Sequence, residues 1–167
     1  TISNPTNLVD DLIVTENGGA ATFAGDIWET DGPWNLTKSG SGGLTLAGVG
    51  VYTGETAVDA GALWVSGSIS SSRVSVASGS TLGGTGTVGS VTVNSGGTIA
   101  PGTAGEIGNL TINGNLTLSS GATFLIGKSR SAIDMLTVSD TLFASGTVVL
   151  SNAAGYSPAF GDSGVIA

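Results

Sequence analysis

The run Gly84-Thr85-Gly86-Thr87-Val88-Gly89 has the G-x-G-x-x-G spacing with which a backbone cradles a phosphate. That chemistry needs a strand before the glycines and a helix N-terminus after them. Here another strand-like run, Val91-Thr92-Val93, follows, so the glycines read as a corner. Gly161-Asp162-Ser163-Gly164 has the form of a serine-protease nucleophile, but the chain has no His to accept the serine proton, so a turn is expected. Gly127-Lys128-Ser129 resembles the end of a phosphate loop, with Gly121 one residue too far upstream for its spacing. The acidic groups Asp10-Asp11, Asp26/Glu29/Asp31 and Asp134/Asp140 follow no calcium-repeat pattern and read as a solvated acidic surface. Asn35, Asn109 and Asn115 each open an Asn-Leu-Thr triplet and read as outward polar strand positions. No catalytic group, cofactor or metal is expected: acid–base residues converge nowhere in the pattern.

The elements that carry these residues are unusual. Among 167 residues there are 29 Gly, no Cys and no His, which leaves few ordinary catalytic groups. Twelve Asp and Glu face four Lys and Arg, so the surrounding field repels a phosphate backbone and nucleic acid is not expected as a partner. No stretch approaches the ~18–20 apolar residues that a membrane helix needs. The irregular start and finish suggest a piece of a longer protein.

Apolar residues recur at i and i+2 over short runs interrupted by Gly, Ser, Asn and Asp, which is strand periodicity. VSVASGSTL at 74–82 is repeated 17 residues later as VTVNSGGTI at 91–99, and LTLSSGATF follows 25 residues after that. Such spacing, with strands of ~3–5 residues and Ser-Gly corners at matching places, is the signature of a β-solenoid rather than of a sandwich with longer strands joined by hairpins. Val74, Val76 and Leu82 are then expected to point inward and meet Val91, Val93 and Ile99 of the next coil, with Ser75 and Thr92 facing water. At ~22 residues per coil and ~4.8 Å between coils, the chain makes roughly seven coils. Residues 1–20 read as an irregular lead-in, 21–127 as regular coils, and 128–167 as less regular final coils with a cap to which Tyr156 and Phe160 contribute. Trp28, Trp34 and Trp64 are large for so slender a core; they are expected to wedge between coils or cover a coil edge, joined by Tyr52. The alternative for them is a stacking platform for a glycan.

The run WNLTKSGSGGLTLAGVGVYTGETAVDAGALWVSGSI, followed by VSVASGSTLGGTGTVGSVTVNSGGTIAPG and LTINGNLTLSSGATF, resembles the passenger-associated repeat region of bacterial autotransporters. The likeness covers about residues 20–150 and rests on motif order: Lys-x-Gly-x-Gly-x-Leu-x-Leu-x-Gly from Lys38, then Tyr-Thr-Gly-x-Thr from Tyr52, Gly-Thr-Gly from Gly84 and Ala-Pro-Gly from Ala100. The resemblance implies a right-handed parallel β-helix from the C-terminal part of a secreted passenger. It implies a non-catalytic stalk and autochaperone segment that promotes folding and outer-membrane secretion of an upstream effector, itself an adhesin, an esterase or a subtilisin-like protease in such relatives. The implied partners are the rest of the passenger and its own outer-membrane β-barrel, and the implied location is the cell surface or beyond. The lack of Cys agrees with that, since a disulfide loop formed in the periplasm is bulky in a pore. Neither a barrel, with its ~10-residue alternating strands, nor an effector is visible in the chain. The alternative function is an adhesive surface for host cells or glycans, with an unidentified host receptor as partner.

Overall fold

The computed structural model describes residues 1–103, 106–129 and 131–152. Among them there is no helix, and therefore none long and apolar enough to cross a membrane. The chain instead runs through β1 (Thr6–Leu8), β2 (Leu12–Thr15), β3 (Ala20–Phe23), β4 (Ile27–Glu29), β5 (Leu36–Ser39), β6 (Gly43–Leu46), β7 (Thr56–Val58), β8 (Ala62–Val65), β9 (Ser68–Ile69) and β10 (Val74–Val76). It continues through β11 (Thr81–Gly84), β12 (Thr87–Val88), β13 (Val91–Val93), β14 (Thr98–Pro101), β15 (Asn109–Ile112), β16 (Leu116–Leu118), β17 (Thr123–Lys128), β18 (Met135–Val138), β19 (Leu142–Ala144) and β20 (Thr147–Asn152).

These strands form the walls of a β-solenoid of about seven coils. The first wall stacks β2, β5, β7, β10, β13, β16 and β19; the second stacks β3, β6, β8, β11, β14, β17 and β20. The third is shallower, with β9, β12, β15 and β18 in one sheet and the β1–β4 pair below, joined through bridges Ile27–Gly50 and Val49–Ser68. Every pairing between these strands is parallel. Parallel pairing is what a chain that always turns the same way must produce, because each wall is revisited once per coil in the same direction.

Register fixes the core. Val74 lies opposite Val91 and Val76 opposite Val93, while Leu82 lies opposite Ile99; all six are buried. Leu116 then lies opposite Val91, so the 17- and 25-residue spacings are two successive coil steps of unequal length. Between the inward positions, Thr92 is exposed and Ser75 half-buried. The unequal steps are absorbed at corners and in loops, not in the walls.

One corner shows why Ser-Gly recurs. Gly79, Gly96 and Gly121 have φ of 77°, 79° and 84°, a region that costs an L side chain, and the N–H of Gly79 donates to the Gly96 carbonyl and that of Gly96 to Gly121, each at 2.9 Å. The same turn is thus laid on itself coil after coil.

Two features differ from the sequence expectation. Segment 1–20 contains β1 and β2, which pair in register with β4 and β5, so stacking is under way before residue 21. The 84–89 run, expected as a corner, is partly strand: Gly84 closes β11 and Thr87–Val88 form β12. The proposed cap residues Tyr156 and Phe160, and the Gly161–Gly164 motif, lie outside the described residues.

Candidate functional site

Several of the carboxylates and amides expected on a solvated surface also hold neighbouring coils together: Asp11, Asp26, Glu29, Asn35, Asn115 and Asp134. At the position just before a first-wall strand, a side chain on one coil accepts the backbone N–H of the coil above. Asp11 Oδ1 takes Asn35 N at 2.8 Å and Asn35 Oδ1 takes Glu55 N at 2.8 Å. Farther along, Ser90 Oγ takes Asn115 N at 3.1 Å and Asn115 Oδ1 takes Thr141 N at 3.0 Å. Asn35 and Asn115 are therefore rungs of a corner ladder rather than generic polar positions, whereas Asn109 is an exposed residue of β15. The signal was present in sequence as an Asp or Asn immediately before an apolar run.

Other acids act alike. Asp26 Oδ1 accepts Val49 N at 2.8 Å, and Asp134 accepts Gly108 N and Gly127 N at 2.8 and 2.6 Å. Glu29 accepts Thr53 Oγ1 at 2.7 Å, Thr53 N at 3.0 Å and Trp34 N at 3.0 Å. The Thr53 hydroxyl and then the Trp34 N–H stabilise its charged form and hold its carboxyl below the ordinary glutamate value. Among the described residues, no three of His, Cys, Asp and Glu gather as metal ligands.

Two large polar side chains are buried inside the coil: Lys38, for which no placement was expected, and Tyr52, which was expected to wedge between coils or cover an edge. Lys38 occupies an inward position of β5, between Val14 of β2 and Val58 of β7, and is 0% exposed. Its ammonium donates to the carbonyls of Ser39 and Gly40 at 2.8 Å each and of Ala60, one coil up, at 3.1 Å. Burial pushes its pKa down, partly opposed by the charge of Glu16. Tyr52, also 0% exposed, sits inside the coil beside Ile69 and hydrogen-bonds Thr56 Oγ1 at 2.7 Å. Thr56 in turn bonds Ser72 Oγ at 2.7 Å, and Ser72 donates to the Gly54 carbonyl at 2.7 Å. Burial raises the Tyr52 hydroxyl to about 12 against the opposing pull of Thr56 and Ser72.

The three Trp residues are not brought together. Trp64 lies on the outer side of the second wall, over Gly83 of the next coil: a Cβ at Gly83 would run into the indole, so glycine there makes room for the ring. Trp34, in the loop between β4 and β5, packs partly buried against the core and donates its indole N–H to the Thr30 carbonyl at 2.8 Å. Trp28 faces outward from β4 and is 41% exposed, with the exposed Val49 and Val51 on the neighbouring rung. Beside the corner ladder, Pro33, Asn35, Thr53, Gly54, Glu55 and Arg73 line an open cleft of about 270 Å³.

A scan against protein-family models finds no match, and a search of curated proteins finds none either.

Proposed function

We propose that this chain is a non-catalytic β-helical stalk and autochaperone segment of an autotransporter passenger, carried across a bacterial outer membrane and displayed at the cell surface. Its partners in this reading are the rest of its own passenger and its own β-barrel. The observation that carries the proposal is that each coil docks on the one before through the same parallel walls in strict register. Coil addition is then a repeatable step that needs no outside partner or energy source, since burial of each inward row supplies about 25 cal/mol per Å² of apolar surface. A coil so stacked resists being drawn back through a pore.

A second observation supports a built-in nucleus. From Val74 through Leu82, Val91, Val93, Ile99, Leu110, Ile112 and Leu116 the inward positions are aliphatic and buried, with Ser80 the buried polar exception, whereas earlier coils bury Lys38 and the Tyr52–Thr56–Ser72 chain. The aliphatic section gains most from collapse and offers its edge to the rest. Deleting residues 34–124 from the full-length protein is expected to abolish display of a protease-resistant passenger; normal display overturns the proposal.

The second reading, an adhesive surface, is favoured by the exposed strip of Trp28, Val49 and Val51. Trp28→Ala is then expected to abolish binding of the chain to host cells or glycans; no binding by the parent beyond a charge-matched control removes this reading.

A further inference from the structure

A column of alternating Val, Leu, Ile and Ala is prone to slip. Moving a strand along its neighbour by two residues keeps every inward side chain inward and changes little of the apolar contact, so patterning alone specifies register poorly. The problem is acute where β7 docks on β5, because Thr56-Ala57-Val58-Asp59-Ala60 has small or aliphatic residues at several same-side positions.

We propose that Lys38 is the register key for this docking step. In the observed register Thr56 lies opposite Leu36, Ala57 opposite Thr37 and Val58 opposite Lys38. Only then does the Ala60 carbonyl reach the ammonium, at 3.1 Å, completing three bonds with the Ser39 and Gly40 carbonyls of Lys38's own coil. A two-residue slip moves that carbonyl by roughly 7 Å along the strand. Ala60 lies in the corner beyond β7, just before Gly61 with its φ of 70°, so the slipped strand offers no carbonyl of the same orientation in its place, and the ammonium is covered by the arriving coil one acceptor short. The other coils carry Val58, Val76 and Val93 at this inward position, so an apolar residue fits there and Lys38 is not a packing necessity. What the lysine adds is a penalty on wrong registers, the use for which a single buried polar group is best attested. This inference stands whether or not the rod acts as a folding segment in a passenger.

The absence of Cys makes the test direct. Two reporter pairs are built in the full 167-residue chain: Thr37→Cys with Ala57→Cys, facing each other in the observed register, and Thr37→Cys with Asp59→Cys, which face each other only after a two-residue slip. Each is refolded from urea in an oxidising glutathione buffer, with Lys38 retained, with Lys38→Val, and with Lys38→Met, which keeps the unbranched stem. With Lys38 retained, the 37–57 disulfide is expected to form and the 37–59 disulfide to be scarce. Both substitutions are expected to raise the 37–59 yield at least tenfold. Unchanged 37–59 yields in either variant overturn the proposal. So does failure of both pairs to form in both variants, which makes Lys38 a requirement for docking rather than a selector of register.

Discussion

Removing single members of the Tyr52–Thr56–Ser72 chain tests the order in which its protons point. Ser72 Oγ donates to the Gly54 carbonyl, so it accepts from Thr56; Thr56, its own proton committed, accepts from Tyr52. Tyr52→Phe therefore deletes the first donor and leaves every other proton with an acceptor, at a cost of about 1 kcal/mol, the net worth of one buried neutral hydrogen bond. Ser72→Ala strips the buried Gly54 carbonyl of its donor and the Thr56 hydroxyl of its acceptor, and at ~1–3 kcal/mol for each orphaned group the expected loss is about 2–5 kcal/mol. Thr56→Val leaves the buried Tyr52 hydroxyl without an acceptor and costs about 1–3 kcal/mol. Adding Tyr52→Phe to Thr56→Val removes that orphan while Ser72 still satisfies Gly54, so the double variant is expected to be more stable than Thr56→Val alone by ~1 kcal/mol. Urea unfolding followed by Trp fluorescence, with the slope checked for constancy across the set, gives the four differences. A double variant less stable than Thr56→Val, or a Ser72→Ala loss no larger than that of Tyr52→Phe, refutes the assigned proton order.

Alkaline stability should carry two opposed signatures. The Tyr52 hydroxyl ionises near 10 when unfolded and at about 12 when folded, so its contribution is complete below pH 10 and is lost as pH rises through 12, by roughly 3 kcal/mol at ~1.4 per unit. Lys38, with its folded pKa lowered, binds its proton less tightly than the unfolded chain does, so stability rises with pH in the window below 10.5. Urea midpoints from pH 8 to 12 are expected to lose the fall in Tyr52→Phe and the rise in Lys38→Val; profiles parallel to the parent contradict both assignments. The corner ladder predicts that Asn35→Ala and Asn115→Ala each cost about 1 kcal/mol through a lost backbone cap, while Asn109→Ala stays within about 0.5 kcal/mol, although all three open the same triplet. Gly83→Val should press on both the Trp64 ring and the Ala100 carbonyl of the next strand: acrylamide quenching is expected to increase and stability to fall by at least about 3 kcal/mol, and unchanged quenching removes the packing assigned to Trp64.

What the sequence disclosed follows from which interactions repeat. Val74/Val91 and Leu82/Ile99 were legible because inward pairing forces like residues onto like positions, and the positive-φ glycines because glycine takes that turn without the strain an L side chain incurs. β12, of two residues, and β11, half glycine, fell below any periodicity that a window can detect. The inward Lys38 and the hydroxyl chain from Tyr52 to Ser72 were not legible, for a different reason, although Tyr52 itself was expected to pack. Each is a single departure from its column, and a lysine between Thr37 and Ser39 has the composition of an outward face; its inward placement emerges only from the alternation set by Leu36. The carboxylates do form an exposed acidic surface, but exposure and hydrogen bonding are independent: Asp11 and Asp26 meet water, and they and Glu29 also bind backbone N–H groups of the next coil, which their composition did not disclose.

The polar and aliphatic sections of the interior divide the labour of specifying this rod. Where Val74 to Leu116 stack, the coils are close copies and burial drives addition strongly, but likeness leaves register to the glycine corners and to exposed corner bonds such as Ser90 to Asn115. Where the coils are less alike, from Lys38 to Ser72, buried polar groups demand particular partners: an ammonium that needs Ala60, a hydroxyl chain that ends on Gly54. Such groups add little net stability, because their desolvation offsets most of what their bonds return, yet each mismatch leaves one orphaned at the full penalty. A one-dimensional stack needs both properties, since stability is a sum over neighbours whereas a register error in one coil misplaces every coil added after it. Uniform aliphatic coils would gain in the sum and be poorly protected against the error; the buried lysine and the tyrosine chain lie in the coils where the repeat itself is too irregular to correct one.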